Sequence, residues 1–231
     1  GVIMLAGPDS RKILSHCTDS PLDNAGFRWL STQHISVAGV ENVRAMRVTY
    51  TGELGWELHV PLSGMLDVYN ALVGTPDSGN LVHVGSATLN AMRMEKGYKS
   101  GHEITNEVTV SEAEVMRFSR YSGFQGAEVS TAPATRWKLS YIQLDEPGED
   151  DVKADPLGSE TIWHDGRASG HISSGGYGYG VGHYLAFAYV RPEVAEPGTA
   201  IEVRVLDSVR KGVVLGDAVW DPENLRPRVD A

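Results

Sequence analysis

Two stretches of this chain carry residue types that could do chemistry. They are Arg47-Val48-Thr49-Tyr50-Thr51-Gly52-Glu53-Leu54-Gly55-Trp56-Glu57-Leu58 and, further on, Met92-Arg93-Met94-Glu95-Lys96-Gly97-Tyr98. Glu57 stands between Trp56 and Leu58 in an apolar strand context, and the two-residue period of a strand sets it on the face opposite both. A carboxylate held this way accepts two parallel hydrogen bonds from an amidine-like ligand edge, each charge-assisted bond contributing about 1.5–3 kcal/mol. The 2-amino group and N3–H of a pterin form such an edge. The alternative is internal, with Glu57 paired to Arg47 or Arg93 inside the fold. The sequence leaves both open.

Other chemistries find less support. The eight histidines are scattered, none in a His-x-x-x-His pair or joined to acids at metal-like spacing, so no metal is expected. No Gly-x-Ser-x-Gly occurs, and Cys17 beside an apolar helical face reads as a small buried thiol. Gly175-Gly176-Tyr177-Gly178-Tyr179-Gly180-Val181-Gly182 contains Gly-x-Gly-x-Gly, yet no parallel strand leads into it and no helix follows. It reads as a strand-to-strand loop. Glycine backbone flanked by tyrosines can lie against a planar ligand, which keeps Tyr177 as a contact candidate.

Composition narrows the classes. With 20 basic against 30 acidic residues the chain carries −10, which argues against a nucleic-acid partner built on phosphate contacts. The acidic excess is concentrated in residues 145–155, read as a solvated loop. No run reaches the 18 or more apolar residues of a membrane span, so no membrane association is expected. One cysteine makes no internal disulfide and points to a reducing compartment, the cytoplasm or, in a eukaryote, the mitochondrial matrix. The chain opens on Gly1 and enters a strand at once, so residues upstream are expected to be missing, and the absence of a signal peptide says little about location.

The elements that must position these residues follow from pattern. Residues 1–6 predict a strand, 10–16 a short helix, and 33–37, 43–50 and 56–60 an antiparallel meander with a turn at 39–42. Met65, Leu66, Tyr69, Leu72 and Val73 recur at helical spacing, and a second helix begins at Ser86, so helices are expected on one face of the sheet. Beyond Thr131 the texture changes. Alternating Trp137, Leu139, Tyr141 and Gln143, then short apolar runs at 162–164, 171–173, 185–190, 201–206 and 212–219, predict a small β-barrel. The fold class is therefore α+β, an antiparallel sheet with helices over residues 1–130 followed by a small C-terminal β-barrel over 131–231.

These motifs resemble the glycine-cleavage T-protein (aminomethyltransferase) family over nearly the whole chain. Leu5-Ala6-Gly7-Pro8-Asp9-Ser10-Arg11 resembles its Gly-Pro-x-Ser-Arg turn, and Tyr50 through Leu58 its most specific signature. Arg93-Met94-Glu95-Lys96-Gly97-Tyr98 and Gly170-His171-Ile172-Ser173-Ser174-Gly175-Gly176-Tyr177-Gly178-Tyr179 are similar to the versions in dimethylglycine and sarcosine dehydrogenases, in their folate-binding C-terminal part. Phe124-Gln125-Gly126-Ala127-Glu128 resembles the family's Phe-Ile-Gly-x-Glu. The resemblance implies a tetrahydrofolate-dependent one-carbon transferase in which Glu57 holds the pterin edge, Arg93 helps to bind the folate and Tyr50 lines the pocket. It implies a methylated amine as donor, such as dimethylglycine or sarcosine, and a flavin-dependent dehydrogenase domain or subunit as partner. No nucleotide-binding strand-turn-helix occurs here, so flavin is not expected on this chain.

The family's catalytic aspartate belongs to a segment that would precede Gly1, so the catalytic residue is unknown within this chain. A second reading is a non-catalytic folate-binding scaffold or regulatory subunit, as in relatives that assist iron–sulfur assembly. Those carry cysteine after Lys-Gly, where this chain has Tyr98. A third is a carbohydrate-binding barrel. Glu114 stands where the dehydrogenase-like members keep a glycine, and Arg117 and Arg120 are expected to pair with it.

Overall fold

The computed structural model describes residues 1–119, 122–130, 132–134 and 136–230. Thr131, the expected boundary, and Arg120, an expected partner of Glu114, lie outside them. The chain forms two compact units, one of residues 1–89 with the closing stretch from Asp221, the other of residues 90–220.

In the first unit, β1 (Val2–Ala6), β2 (Thr32–Val37), β3 (Val40–Met46) and β4 (Gly55–His59) form an antiparallel sheet in the order β1-β4-β3-β2. Strand alternation buries Ile35, Val37, Val43, Ala45, Trp56 and Leu58 on one face. The helices α1 (Ser10–Ser15) and α2 (Met65–Val73) cover that face with Ile13, Leu14, Val68 and Leu72. The β2–β3 turn is tighter than the expected 39–42. It consists of Ala38 and Gly39, both at positive φ (51° and 76°), which is the hairpin geometry whose twist matches the flanking strands. β3 also ends earlier than expected. After Met46 the chain leaves the ladder, and residues 47–54 form a connection in which the hydroxyls of Thr49 and Thr51 meet at 2.9 Å. Gly55 is required where β4 begins, because a Cβ there would fall 2.7 Å from the Leu5 carbonyl oxygen.

The closing stretch returns to this unit. Arg47, fully buried, donates to the carbonyl oxygens of Phe27 (2.6 Å), Pro227 (3.2 Å) and Val229 (3.5 Å), while Arg226 pairs with Glu53 at 2.9 Å. Burial and the neighbouring Arg11 hold the Arg47 guanidinium below its ordinary pKa.

The division between units falls within α3 (Ser86–Glu95). In the second unit β5 (Lys138–Leu144), β6 (Thr161–His164), β7 (Arg167–Gly178), β8 (His183–Val190), β9 (Ala200–Val205) and β10 (Ser208–Leu215) close a barrel in the order β10-β5-β8-β7-β6-β9. Ile142, Leu144, Ile162, Ile172, Ala186, Ala188, Val203 and Val214 fill its core. β8 is buried on both faces after His183 because Leu185, Phe187 and Tyr189 pack with Met94, Leu139 and Tyr141 in a second apolar cluster. The architecture is the α+β sheet with helices and C-terminal barrel that the patterning leads one to expect.

The glycine-rich run departs from its expected loop. Up to Gly178 it is the end of β7, and its glycines answer close packing. A Cβ on Gly175 would lie 2.6 Å from Pro156, and one on Gly178 or Gly180 would lie 2.9 Å from the Glu95 side chain. The acidic run 145–155 keeps Asp150, Asp151 and Lys153 exposed, while the carbonyls of Val152 and Ala154 accept from buried Arg210 at 3.2 and 2.7 Å.

Glu114 takes a left-handed conformation (φ 54°), a region that glycine enters without strain. Its carbonyl oxygen and that of Ala113 accept from Lys99 Nζ at 2.7 and 2.9 Å, and burial draws the Lys99 pKa down to about 8. Arg117 stacks on Phe118 at 4.6 Å rather than pairing with Glu114. Glu114→Gly is expected to raise the unfolding free energy by about 0.5–1 kcal/mol, the strain released less the added freedom of the unfolded chain. A higher denaturation midpoint at unchanged slope in urea would register it.

Candidate functional site

Glu57 occupies the sheet face of the first unit opposite its core. In the β4 register it pairs with Met4 of β1 and Met46 of β3, so its carboxylate emerges between two methionine side-chain positions. Trp56 and Leu58 on either side are fully buried against the helices, while the Glu57 side chain is 34% exposed. Among the described residues it makes no hydrogen bond, and His59 Nε2, at 3.6 Å from Oε2, is the only basic group within 4 Å. The internal pairing with Arg47 is not formed, since that guanidinium is turned to backbone carbonyls on the other side of the strand pattern. What results is a half-buried carboxylate with both oxygens available, an acceptor pair suited to a cyclic amidine or guanidine edge. Tyr50 lies in the 47–54 connection of the same unit, partly buried.

Arg93 belongs to the second unit and is almost fully buried. Its five N–H groups are all engaged. Nε and Nη2 donate to Asn90 Oδ1 at 3.0 and 2.8 Å, Nη2 to Ser174 Oγ at 2.9 Å, and Nη1 to the Tyr98 carbonyl and Glu103 Oε2, both at 3.0 Å. Asn90 Nδ2 in turn donates to the Gly175 carbonyl at 3.1 Å. Arg93 thus ties α3 to β7 and holds Asn90 in place.

Glu103, with no exposed surface, is the counter-charge, and the sequence reading missed it. It accepts from Ser100 N (2.6 Å) and Ser100 Oγ (2.9 Å) as well as from Ser173 and Ser174. Burial alone would raise its pKa. The Ser174 hydrogen bond, the Arg93 charge and the Ser100 bonds outweigh that and hold the carboxyl below the ordinary range. One local signal existed: Ser100-x-x-Glu103 has the spacing of a reciprocal capping pair.

Tyr177 lies near the end of β7, opposite Tyr184 in register. Its ring meets those of Tyr184 and Tyr179 edge-on at 4.8 and 5.0 Å and packs against the barrel core. The four candidates therefore divide between the units, Tyr50 and Glu57 in the first, Arg93 and Tyr177 in the second.

The sequence matches two family profiles, "GCVT N-terminal domain" over residues 1–122 and "Glycine cleavage T-protein C-terminal barrel domain" over residues 138–221. It is 31% identical to mitochondrial dimethylglycine dehydrogenase of Homo sapiens across 99% of this chain and 27% of that protein. Against mitochondrial sarcosine dehydrogenase of Mus musculus the identity is 30% across 92% of this chain and 22% of that protein. An aminomethyltransferase of Streptomyces coelicolor is 29% identical across 86% of this chain and 54% of its own length. The chain thus spans about a quarter of the length of the dehydrogenases it matches. In fold it is similar to the crystal structure of glycine cleavage system aminomethyltransferase T from Bartonella henselae, with TM-score 0.67 at 16% identity over 96% of this chain and 84% of that one.

Proposed function

Because this chain belongs to the glycine cleavage T-protein family of aminomethyltransferase-type one-carbon transferases, we propose that it is a tetrahydrofolate-binding transfer module acting in demethylation of a methylated glycine such as dimethylglycine or sarcosine. The observation that carries the reading is Glu57, a carboxylate half sunk in a sheet face with its oxygens unclaimed by the fold. An acceptor pair so placed is open to a ligand, and a pterin edge supplies two matched donors.

When bound, the reduced folate supplies the nitrogen atoms that accept the one-carbon unit. The chain's own residues bind and orient. Glu57 fixes the rotation of the ring in its plane, the side chains at Met4 and Met46 give an apolar border that adapts to a flat ligand, and Tyr50 lines the pocket. Arg93 has no donor to spare, so its contribution is to hold Asn90 and the end of β7, while Tyr177 offers a ring edge from β7. The donor amine is presented by a dehydrogenase domain or subunit, as the relatives' composition supports.

Isothermal calorimetry of tetrahydrofolate against the full chain tests this. One-site saturable binding in the micromolar range or tighter is expected, about 8 kcal/mol of binding free energy. Absence of heat or of competition by a second reduced folate would remove the reading.

A further inference from the structure

His59 lies two residues beyond Glu57 on the same sheet face and opposite Arg44 in the β3–β4 register. Arg44 Nη2 approaches His59 Nδ1 at 3.1 Å. A guanidinium has donors and no acceptor, so Nδ1 must be the accepting, unprotonated nitrogen, and the ring proton of neutral His59 sits on Nε2. That Nε2 is shielded from water, makes no hydrogen bond among the described residues, and faces Glu57 Oε2 at 3.6 Å.

Taking the folate reading of Glu57 as its premise, we infer that His59 is a positioning residue for ligand binding, oriented by Arg44 so that its Nε2–H steers the Glu57 carboxylate without occupying it. At 3.6 Å the contact is longer than a hydrogen bond, so it biases the carboxylate toward one rotation and leaves both oxygens open to the ligand. The same geometry makes the site sensitive to acid. A proton added at Nδ1 would face the Arg44 donor, breaking that anchor, and would turn His59 into a cation beside Glu57 that competes with the pterin donors. The other charged or titratable groups bordering His59 are His34, which pairs with Arg44 in the β2–β3 register, and the Gly1 amino group, which donates to the Val60 carbonyl at 2.7 Å. With Asn42 they line a shallow depression of about 370 Å³. Among these groups Glu57 is the one anion.

Calorimetric Kd values for tetrahydrofolate across about pH 5–8 separate the outcomes, using the wild-type full chain, His59→Gln, His59→Phe and Arg44→Met. His59→Gln keeps a neutral donor and is expected to bind within about twofold of wild type at pH 8 while losing the acid-side fall in affinity. His59→Phe and Arg44→Met are expected to weaken binding about fivefold or more at pH 8. Superimposable pH profiles for wild type and His59→Gln, together with unchanged affinity in His59→Phe, would overturn the inference while leaving Glu57 in place. Should Glu57→Gln bind as tightly as wild type, the folate reading itself fails. Imidazole ¹⁵N shifts of the ligand-free protein give a separate readout. They should report the Nε2–H tautomer for His59 in wild type and a mixture in Arg44→Met, and an Nδ1–H tautomer in wild type would refute the Arg44 anchor.

Discussion

Glu103→Ala is expected to destabilise the second unit by about 3–5 kcal/mol, the cost of leaving a buried guanidinium without its counter-charge. Arg93 would keep Asn90, Ser174 and the Tyr98 carbonyl as partners, but none of these is an anion. Urea denaturation followed by barrel tryptophan fluorescence reads the loss directly. Combining Arg93→Met with Glu103→Gln should recover much of it, because a neutral pair of similar volume leaves no uncompensated buried charge. The pH dependence has a defined sign. The Glu103 carboxyl lies below its ordinary range in the folded protein, so its stabilising share is complete above the unfolded value of about 4.3 and drains away as pH falls through the folded one. Wild-type stability should therefore decline on the acid side more steeply than that of Glu103→Gln. Equal slopes would mean that Glu103 is no more ionised in the fold than in the open chain.

Glu57→Gln should weaken tetrahydrofolate binding by about 10–100-fold, equivalent to about 1–3 kcal/mol. An amide in that place offers one acceptor and one donor, so it meets a ligand edge of two donors with one match and one clash. Stability should change by less than about 0.5 kcal/mol, since the fold makes no hydrogen bond to this carboxylate. A large stability change with unaltered affinity would reassign Glu57 to the scaffold. The pairing of the two measurements matters more than either one.

Much of this arrangement could be read locally. The alternation Trp56-Glu57-Leu58 placed Glu57 on the face opposite its two neighbours, though not which face is the core, and five short apolar runs in the second half implied a small barrel that proves to be closed. What escaped was long-range. Period-two patterning cannot say which strands become neighbours, so Met4 and Met46 flanking Glu57 were invisible. The partners of Arg47 are carbonyl oxygens up to 182 residues away, and every residue has a carbonyl, so no residue type announces them. Glu103 and Arg93 are only ten positions apart, yet the turn that joins them has no periodicity to reveal that both are buried. The glycines of β7 misled for a related reason. Glycine signals freedom in a loop and close approach in a strand, and only the neighbouring Glu95 and Pro156 decide between them.

The first unit is assembled from two stretches far apart in the chain, residues 1–89 and the stretch from Asp221. Until residues 226–229 have been made, Arg47 has Phe27 but neither Pro227 nor Val229 to receive its protons, and Glu53 still awaits Arg226. The barrel strands, all contained within one continuous stretch, suffer no such delay. The first unit therefore gains its last partners only after every barrel strand has been made, and the sheet bearing Glu57 matures later than its place in the chain suggests.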